Sequence, residues 1–160
     1  MEIYLLRHGI AEEASAGMKD SERALTPEGR EKLKRVLKRA KGAGVAPALI
    51  LSSPYKRALE TAAVAAEVLE YSRKIEQTQA LVPNASPQDV WEEIRARRDE
   101  ASILMASHEP LMSSTLAVLL GSAGLQVDMK KAALARIDFD HLGPEPRGIL
   151  KWLLTPATAS

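Results

Sequence analysis

Three short apolar runs, each broken abruptly by polar residues, constrain this chain more than any other feature. Ile3 to Leu6 runs into Arg7-His8-Gly9, Ala48 to Leu51 into Ser52-Ser53-Pro54-Tyr55-Lys56-Arg57, and Ile103 to Ala106 into Ser107-His108-Glu109-Pro110. None of the runs alternates in polarity, which suits strands buried on both faces. Helix signals stand between them. Thr26-Pro27-Glu28 offers an N-cap, a proline at the first helical position and an acid in the first turn. Leu33, Val36, Leu37 and Ala40 follow at helical spacing, and Gly42 and Gly44 close that helix. Ser53-Pro54 opens a second helix, with Ala58, Ala62, Ala65 and Leu69 as its buried stripe.

Further on, a short strand is expected near Glu76 to Thr78, then a third helix from Pro87 to about Arg98. A fourth carries Met112, Leu116, Leu119 and Leu120 on one side and stops at Gly121. Ala132 to Phe139 and Ile149 to Leu154 read as late strands around a His141-Leu142-Gly143-Pro144 loop, paired as a hairpin. Strand and helix alternate through most of the chain. That predicts an α/β fold with a mostly parallel sheet, helices on both faces and antiparallel pairing at one edge. With 160 residues, no repeat and no linker, residues 1–160 are read as one domain.

Composition narrows the partners. The formal net charge is +1, so nucleic acid or an anionic membrane would need a local basic patch, and no long K/R-rich run offers one. Neither partner is expected. The chain has no cysteine, which removes disulfides, thiolate metal sites and thiol catalysis, and suits a reducing cytoplasm. The N-terminus is charged too early for a signal peptide, and no apolar run approaches membrane-spanning length. A cytoplasmic location is expected.

In open α/β sheets, ligands bind beyond the carboxyl ends of parallel strands. If the three runs are adjacent parallel strands, Arg7, His8, Arg57 and His108 converge. Arg57 then sits in the first turn of its helix, beside free N–H groups and the positive end of the dipole. Taken singly, Arg7-His8-Gly9 reads as a solvated turn, Arg57 as a surface arginine and His108 as a structural histidine. Their joint placement at three strand ends overturns those readings. Two guanidiniums and two imidazoles make a pocket for a doubly charged anion such as phosphate. A histidine attacks phosphorus through an unprotonated nitrogen and carries it as a phosphoramidate, provided its other nitrogen has a fixed acceptor. No carboxylate cluster of the kind Mg²⁺ uses is evident, so no metal and no cofactor is expected. Tyr55 and Lys56 read as surface residues, His141 as an exposed loop histidine and Met105 and Met112 as core. Lys32, Lys34, Arg35, Lys38 and Arg39 read as a solvated helix face.

Arg7-His8-Gly9, Ser52-Ser53-Pro54-x-x-Arg57-Ala58-x-x-Thr61-Ala62 and Ser107-His108-x-Pro110-Leu111 together resemble the histidine phosphatase superfamily, with its phosphoglycerate mutase-like fold. The stretch Arg23-Ala24-Leu25-Thr26-Pro27-Glu28-Gly29 and the closing Trp152-x-x-Thr155-Pro156 look most like its small SixA-type branch of phosphohistidine phosphatases. The resemblance implies a three-layer αβα sandwich with a mixed sheet, His8 as the phosphorylated nucleophile, and Arg7, Arg57 and His108 as the phosphate pocket. Arg23 is a further candidate for holding the phosphate. In this family the loop before the third helix often carries the acid that protonates the leaving group. Here that loop is Val82 to Pro87, with Asn84 where a glutamate would be sought. Glu12, Asp20 and Glu22, in the loop after His8, are candidate proton donors instead. A phosphohistidine leaves as imidazole, which accepts a proton near neutral pH, whereas an alkoxide needs far more help. An absent acid therefore favours a phosphoramidate substrate. Only the loop at residues 10–25 is free to build a lid, which suits a protein side chain as substrate, such as a phosphorelay domain. The alternatives are a phosphatase for a small phosphoester and a non-catalytic phosphate-binding module. Retention of both histidines and both arginines argues against the last.

Overall fold

The direction of each strand-to-strand step decides which face its helix covers, because parallel crossovers are right-handed. A computed structural model describes residues 1–159. Its strands are β1 (Glu2–Arg7), β2 (Leu49–Ser52), β3 (Glu76–Gln77), β4 (Ser102–Ser107), β5 (Leu134–Asp138) and β6 (Ile149–Leu154). The helices are α1 (Pro27–Gly42), α2 (Lys56–Val68), α3 (Pro87–Ala96) and α4 (Leu111–Leu119). The sheet order is β3-β2-β4-β1-β5-β6. β1, β2, β3 and β4 are parallel; β5 runs antiparallel to β1, and β6 antiparallel to β5. The steps from β1 to β2 and β2 to β3 go one way along the sheet, and the step from β3 to β4 returns. Accordingly α1 and α2 cover one face, α3 and α4 the other.

Two cores record this layering. Tyr4, Leu6, Ile50, Leu104 and Leu134 point toward α1 and α2, where Leu33, Val36, Leu37, Ala62 and Ala65 meet them. Ile3, Leu5, Leu51, Ile103 and Met105 point the other way, against Val90, Trp91 and Ile94 of α3 and Met112 and Leu116 of α4. Alternate residues of one strand thus feed both cores, which is why the runs show no polar alternation. Each fully buried Leu or Ile contributes roughly 1.5–3 kcal/mol, so the carboxyl ends of β1, β2 and β4 form a stiff platform.

Two of the four helices, α1 and α3, start at their sequence signals, whereas α2 begins at Lys56, beyond the expected Ser53-Pro54 start and with no side-chain cap. Thr26 Oγ1 accepts from Gly29 N–H at 2.9 Å, and Ser86 and Asp89 close a capping box on α3. α3 ends at Ala96, two residues short of the expected Arg98, and β3 is only two residues long. The late strands do pair as an antiparallel hairpin. Residues 10–25 are more ordered than an aperiodic loop. Ala11 bridges Leu25, Asp20–Glu22 form a 3-10 turn, and Glu60 of α2 accepts from Leu25 N–H and Arg30. Among the described residues, no helix is long and apolar enough to cross a membrane.

Candidate active site

β1 and β4 are neighbours in the sheet, with Arg7 opposite Ser107. His8 and His108 therefore leave the sheet side by side. β1 departs toward α1 on one face and β4 toward α4 on the other, so their carboxyl ends form a topological switch point, where such sheets bind ligands. His8 N–H donates to Ser107 O at 2.9 Å, and the imidazole rings meet edge to face with centroids 5.2 Å apart. β2, on the far side of β4, delivers Ser53 and the first turn of α2. Arg57, the second residue of α2, is only 5% exposed and reaches back to donate Nε–H to His8 Nε2 at 3.3 Å.

His8 has one defined tautomer. Its Nδ1 lies 2.7 Å from the Gly9 carbonyl oxygen. A carbonyl only accepts, so Nδ1 carries the hydrogen and Nε2 keeps a bare lone pair. The Arg57 N–H directed at Nε2 agrees with this. Gly9 is itself fixed: its N–H donates to Thr61 Oγ1 at 3.2 Å, and the Thr61 hydroxyl donates to Arg57 O at 2.7 Å. A single turn of α2 thus holds both the guanidinium and the His8 loop. His108 Nε2 pairs with Ser53 Oγ at 2.8 Å, and that oxygen also accepts Tyr55 N–H at 3.2 Å. His108 Nδ1 is buried, and the described residues give it no partner. Arg7 donates Nη1–H to Met129 O at 2.8 Å, and its Nε is likewise buried and unpartnered.

Burial pushes His8 down to about 4, and the charges of Arg57, Arg7 and Arg23 push the same way against the Gly9 hydrogen bond. His108 is pushed down to about 3 by burial first and then by His8 and Arg57. Both rings are neutral at pH 7, and the positive charge of the pocket rests on the guanidiniums. An oxyanion would reverse the electrostatic cause of these shifts. Among the described residues, no group of three or more His, Asp or Glu side chains is arranged to hold a metal ion.

Residues 3–82 match the model of the histidine phosphatase superfamily (branch 1). An uncharacterised protein of Picosynechococcus sp. is 31% identical over 137 residues, 84% of this chain and 82% of that protein. The chain belongs to the histidine phosphatase superfamily. Within it, phosphohistidine phosphatase SixA of Escherichia coli K12 is 28% identical over 158 residues, 98% of this chain and 94% of that one. A structure of the protein histidine phosphatase SixA complexed with tungstate superposes with a TM-score of 0.86 at 26% identity, over 100% of both chains. The family match includes Arg7, His8 and Arg57 and ends before His108. For His108 the register of β1 and β4 supplies what the match does not.

The remaining candidates fall into place unevenly around this superfamily site. Asp20 sits on Arg57: its carbonyl accepts Nη1–H at 2.8 Å and its Oδ2 accepts Nη2–H at 3.1 Å. Among the described residues Arg23 makes no hydrogen bond to either histidine; its Nη1 pairs with Asp20 Oδ1 at 2.9 Å and its Nε–H goes to Glu12 O at 2.8 Å. The exposed Glu12 carboxylate accepts Ala24 N–H at 3.2 Å, away from the four basic residues. Glu22 is exposed, and among the described residues its carboxylate makes no hydrogen bond or ion pair with them. Asn84 is exposed as well, and His141 is on the surface as expected. Tyr55 departs from its surface reading. Its ring lies edge-on to His108 at 5.1 Å and beneath the Arg57 guanidinium at 5.2 Å, within cation–π range. Ser53, Tyr55 and Thr61 were not singled out for roles in the sequence. The signal available was their position within one turn or so of Arg57.

Proposed function

We propose that this superfamily member is a metal-independent phosphatase, one domain over residues 1–160, that removes the phosphoryl group from phosphohistidine in a protein by way of a covalent phosphohistidine on His8. One observation carries the reading. The Nδ1–H of His8 is committed to the Gly9 carbonyl, so Nε2 carries no hydrogen and keeps its lone pair, toward which Arg57 directs Nε–H at 3.3 Å. The Nε2 lone pair attacks phosphorus. The P–N bond to the substrate imidazole breaks, and its electrons stay on the leaving nitrogen, which takes a proton from solvent. His8 then carries both the N–P bond and Nδ1–H, a cationic ring that the Gly9 carbonyl stabilises. Water attacks phosphorus next. The bond to His8 breaks, its electrons return to Nε2, and the proton lost by water goes to solvent. Arg57, Arg7 and His108 hold the equatorial oxygens while charge develops on them. Arg23 acts from one step back, through Asp20.

The substrate class rests on three supports. Relatives named phosphohistidine phosphatase or protein histidine phosphatase align along the chain. The carboxyls of Asp20, on Arg57, and of Glu109, next to His108 in the chain, are both engaged among the described residues, Asp20 with Arg57 and Arg23 and Glu109 with Ser113 N–H, so neither is a ready acid for an alkoxide. An imidazole leaving group does not need one. The test is hydrolysis of a phosphohistidine-bearing phosphorelay domain and of a panel of phosphoesters, each with and without chelator. Turnover of the phosphohistidine protein, unaffected by chelator, is expected, with phosphoesters at least about a hundredfold slower in kcat/KM. His8→Ala is expected to lose about 10³-fold or more in kcat while its circular dichroism stays unchanged. Comparable rates on both substrate classes would make this a phosphoester phosphatase. Tight phosphate binding with no turnover would make it a binding module.

A further inference from the structure

Beside the phosphate pocket lies a cavity of about 620 Å³. Arg7, Lys32, Arg35, Lys130 and Lys131 line it, and no aspartate or glutamate does. The fold puts this cavity on the same end of the molecule as the two imidazoles. β5 is antiparallel to β1 and β6 is antiparallel to β5, so β5 begins and β6 ends where β1 ends. Lys130 and Lys131 lead into β5, and Pro156 follows β6. Lys32 and Arg35, three apart on α1, close the other side. They are not simply the solvated helix face that the sequence suggested. Arg7 belongs to both places, lining the cavity and preceding His8 in the chain.

The charge here is local. The whole chain carries only +1, and a groove lined by Asp89, Glu92 and Glu93 elsewhere is acidic. Lys32 is partly offset by Glu28 at 3.1 Å and Lys130 by Asp128 at 2.9 Å. Arg35 and Lys131 have no acidic partner among the described residues. Uncompensated cations grouped beside a site, on a chain that is otherwise near neutral, steer and orient an oppositely charged partner. The cavity is too large to be an annex for one phosphoryl group. It also offers apolar surface at Ile10 and Pro156, against which the aliphatic part of an acidic side chain packs.

We propose that this cavity docks an acidic segment of the protein substrate, next to the phosphorylated histidine, with Arg35 and Lys131 as the main cationic contacts. The proposal deepens, and rests on, the phosphatase reading given above. Two synthetic phosphohistidine peptides of equal length test it, one with glutamates flanking the phosphohistidine and one with glutamines. At low ionic strength the wild-type chain is expected to favour the acidic peptide by about tenfold or more in kcat/KM, the advantage shrinking as salt is added. The double variant Arg35→Gln/Lys131→Gln is expected to lower the acidic peptide to the level of the neutral one, with the neutral peptide's rate held within about twofold. Equal rates on the two peptides in the wild type, or a preference that survives the double variant, would overturn the proposal. If neither peptide is turned over, the phosphatase reading has failed, and docking is decided by fluorescence anisotropy with the unphosphorylated acidic peptide. Tighter binding to wild type than to the double variant upholds the cavity; equal affinity sinks it.

Discussion

Asp20 occupies the guanidinium edge that a phosphate would need. Its carbonyl and carboxylate take both Nη groups of Arg57. Arg23 first, and then Arg57, hold its carboxyl below the usual carboxylate range, so it is ionised at neutral pH. In that state it is an internal anion, poorly suited to donate a proton. Asp20 is more than half exposed, so its pair with Arg57 is screened and worth about 1 kcal/mol or less. Asp20→Asn is therefore expected to tighten tungstate binding by a few-fold, read by isothermal titration calorimetry, and to leave kcat on a phosphohistidine substrate unchanged. A fall in kcat, steepest on phosphoesters, would instead make Asp20 the proton donor.

At the scale of elements, the site depends on how closely the start of α1 approaches the loop after His8. A Cβ built on Gly29 would lie 2.3 Å from Ile10 O and 2.9 Å from Ile10 N. Both are backbone atoms, so Gly29→Ala must push Ile10, two residues from His8, out of place. Overpacking of this kind costs about 1–3 kcal/mol, and displacing His8, the proposed nucleophile, costs roughly tenfold or more in rate. The expected result is a lower Tm together with a lower kcat. Gly42→Ala, in the last turn of the same helix, meets nothing within 4 Å and is expected to leave both unchanged or raise Tm slightly. The same elements show what the sequence made legible. Strands buried on both faces leave plain apolar runs, and Thr26 and Ser86 mark helix starts through bonds three residues away, so the sheet and its helices could be read locally. His8 and His108 were legible because each follows its strand directly, and Arg57 because it stands in the first turn of the helix that follows β2. Residues 10–25 were not, because what orders them is distant: Leu25 N–H bonds Glu60, 35 residues on. Tyr55 was misread because what its ring packs against is distant in sequence: His108, which follows β4, lies edge-on to it.

For the molecule as a whole, two neutral imidazoles buried among arginines tie folding to pH. In the unfolded chain His8 and His108 titrate near 6.5; in the fold they are held to about 4 and about 3. Between pH 6.5 and 4 the unfolded chain binds more protons than the folded one, so stability rises with pH across that window. The contribution is complete above pH 6.5 and is lost progressively as pH falls toward the folded values. Asp20, with its carboxyl lowered from an ordinary 3.8, acts in the same direction but only at more acid pH, so the upper window isolates the histidines. Acidification from pH 7 to 4 is expected to remove on the order of 3 kcal/mol or more from the unfolding free energy, measured by urea denaturation. The double variant His8→Gln/His108→Gln is expected to flatten that dependence. The lowered His8 value also keeps Nε2 unprotonated down to about pH 5, so the acid limb of kcat/KM lies well below 6.5. A wild-type stability flat from pH 7 to 4.5, or a variant as acid-sensitive as the parent, would mean that the two imidazoles are not buried together at the end of the sheet.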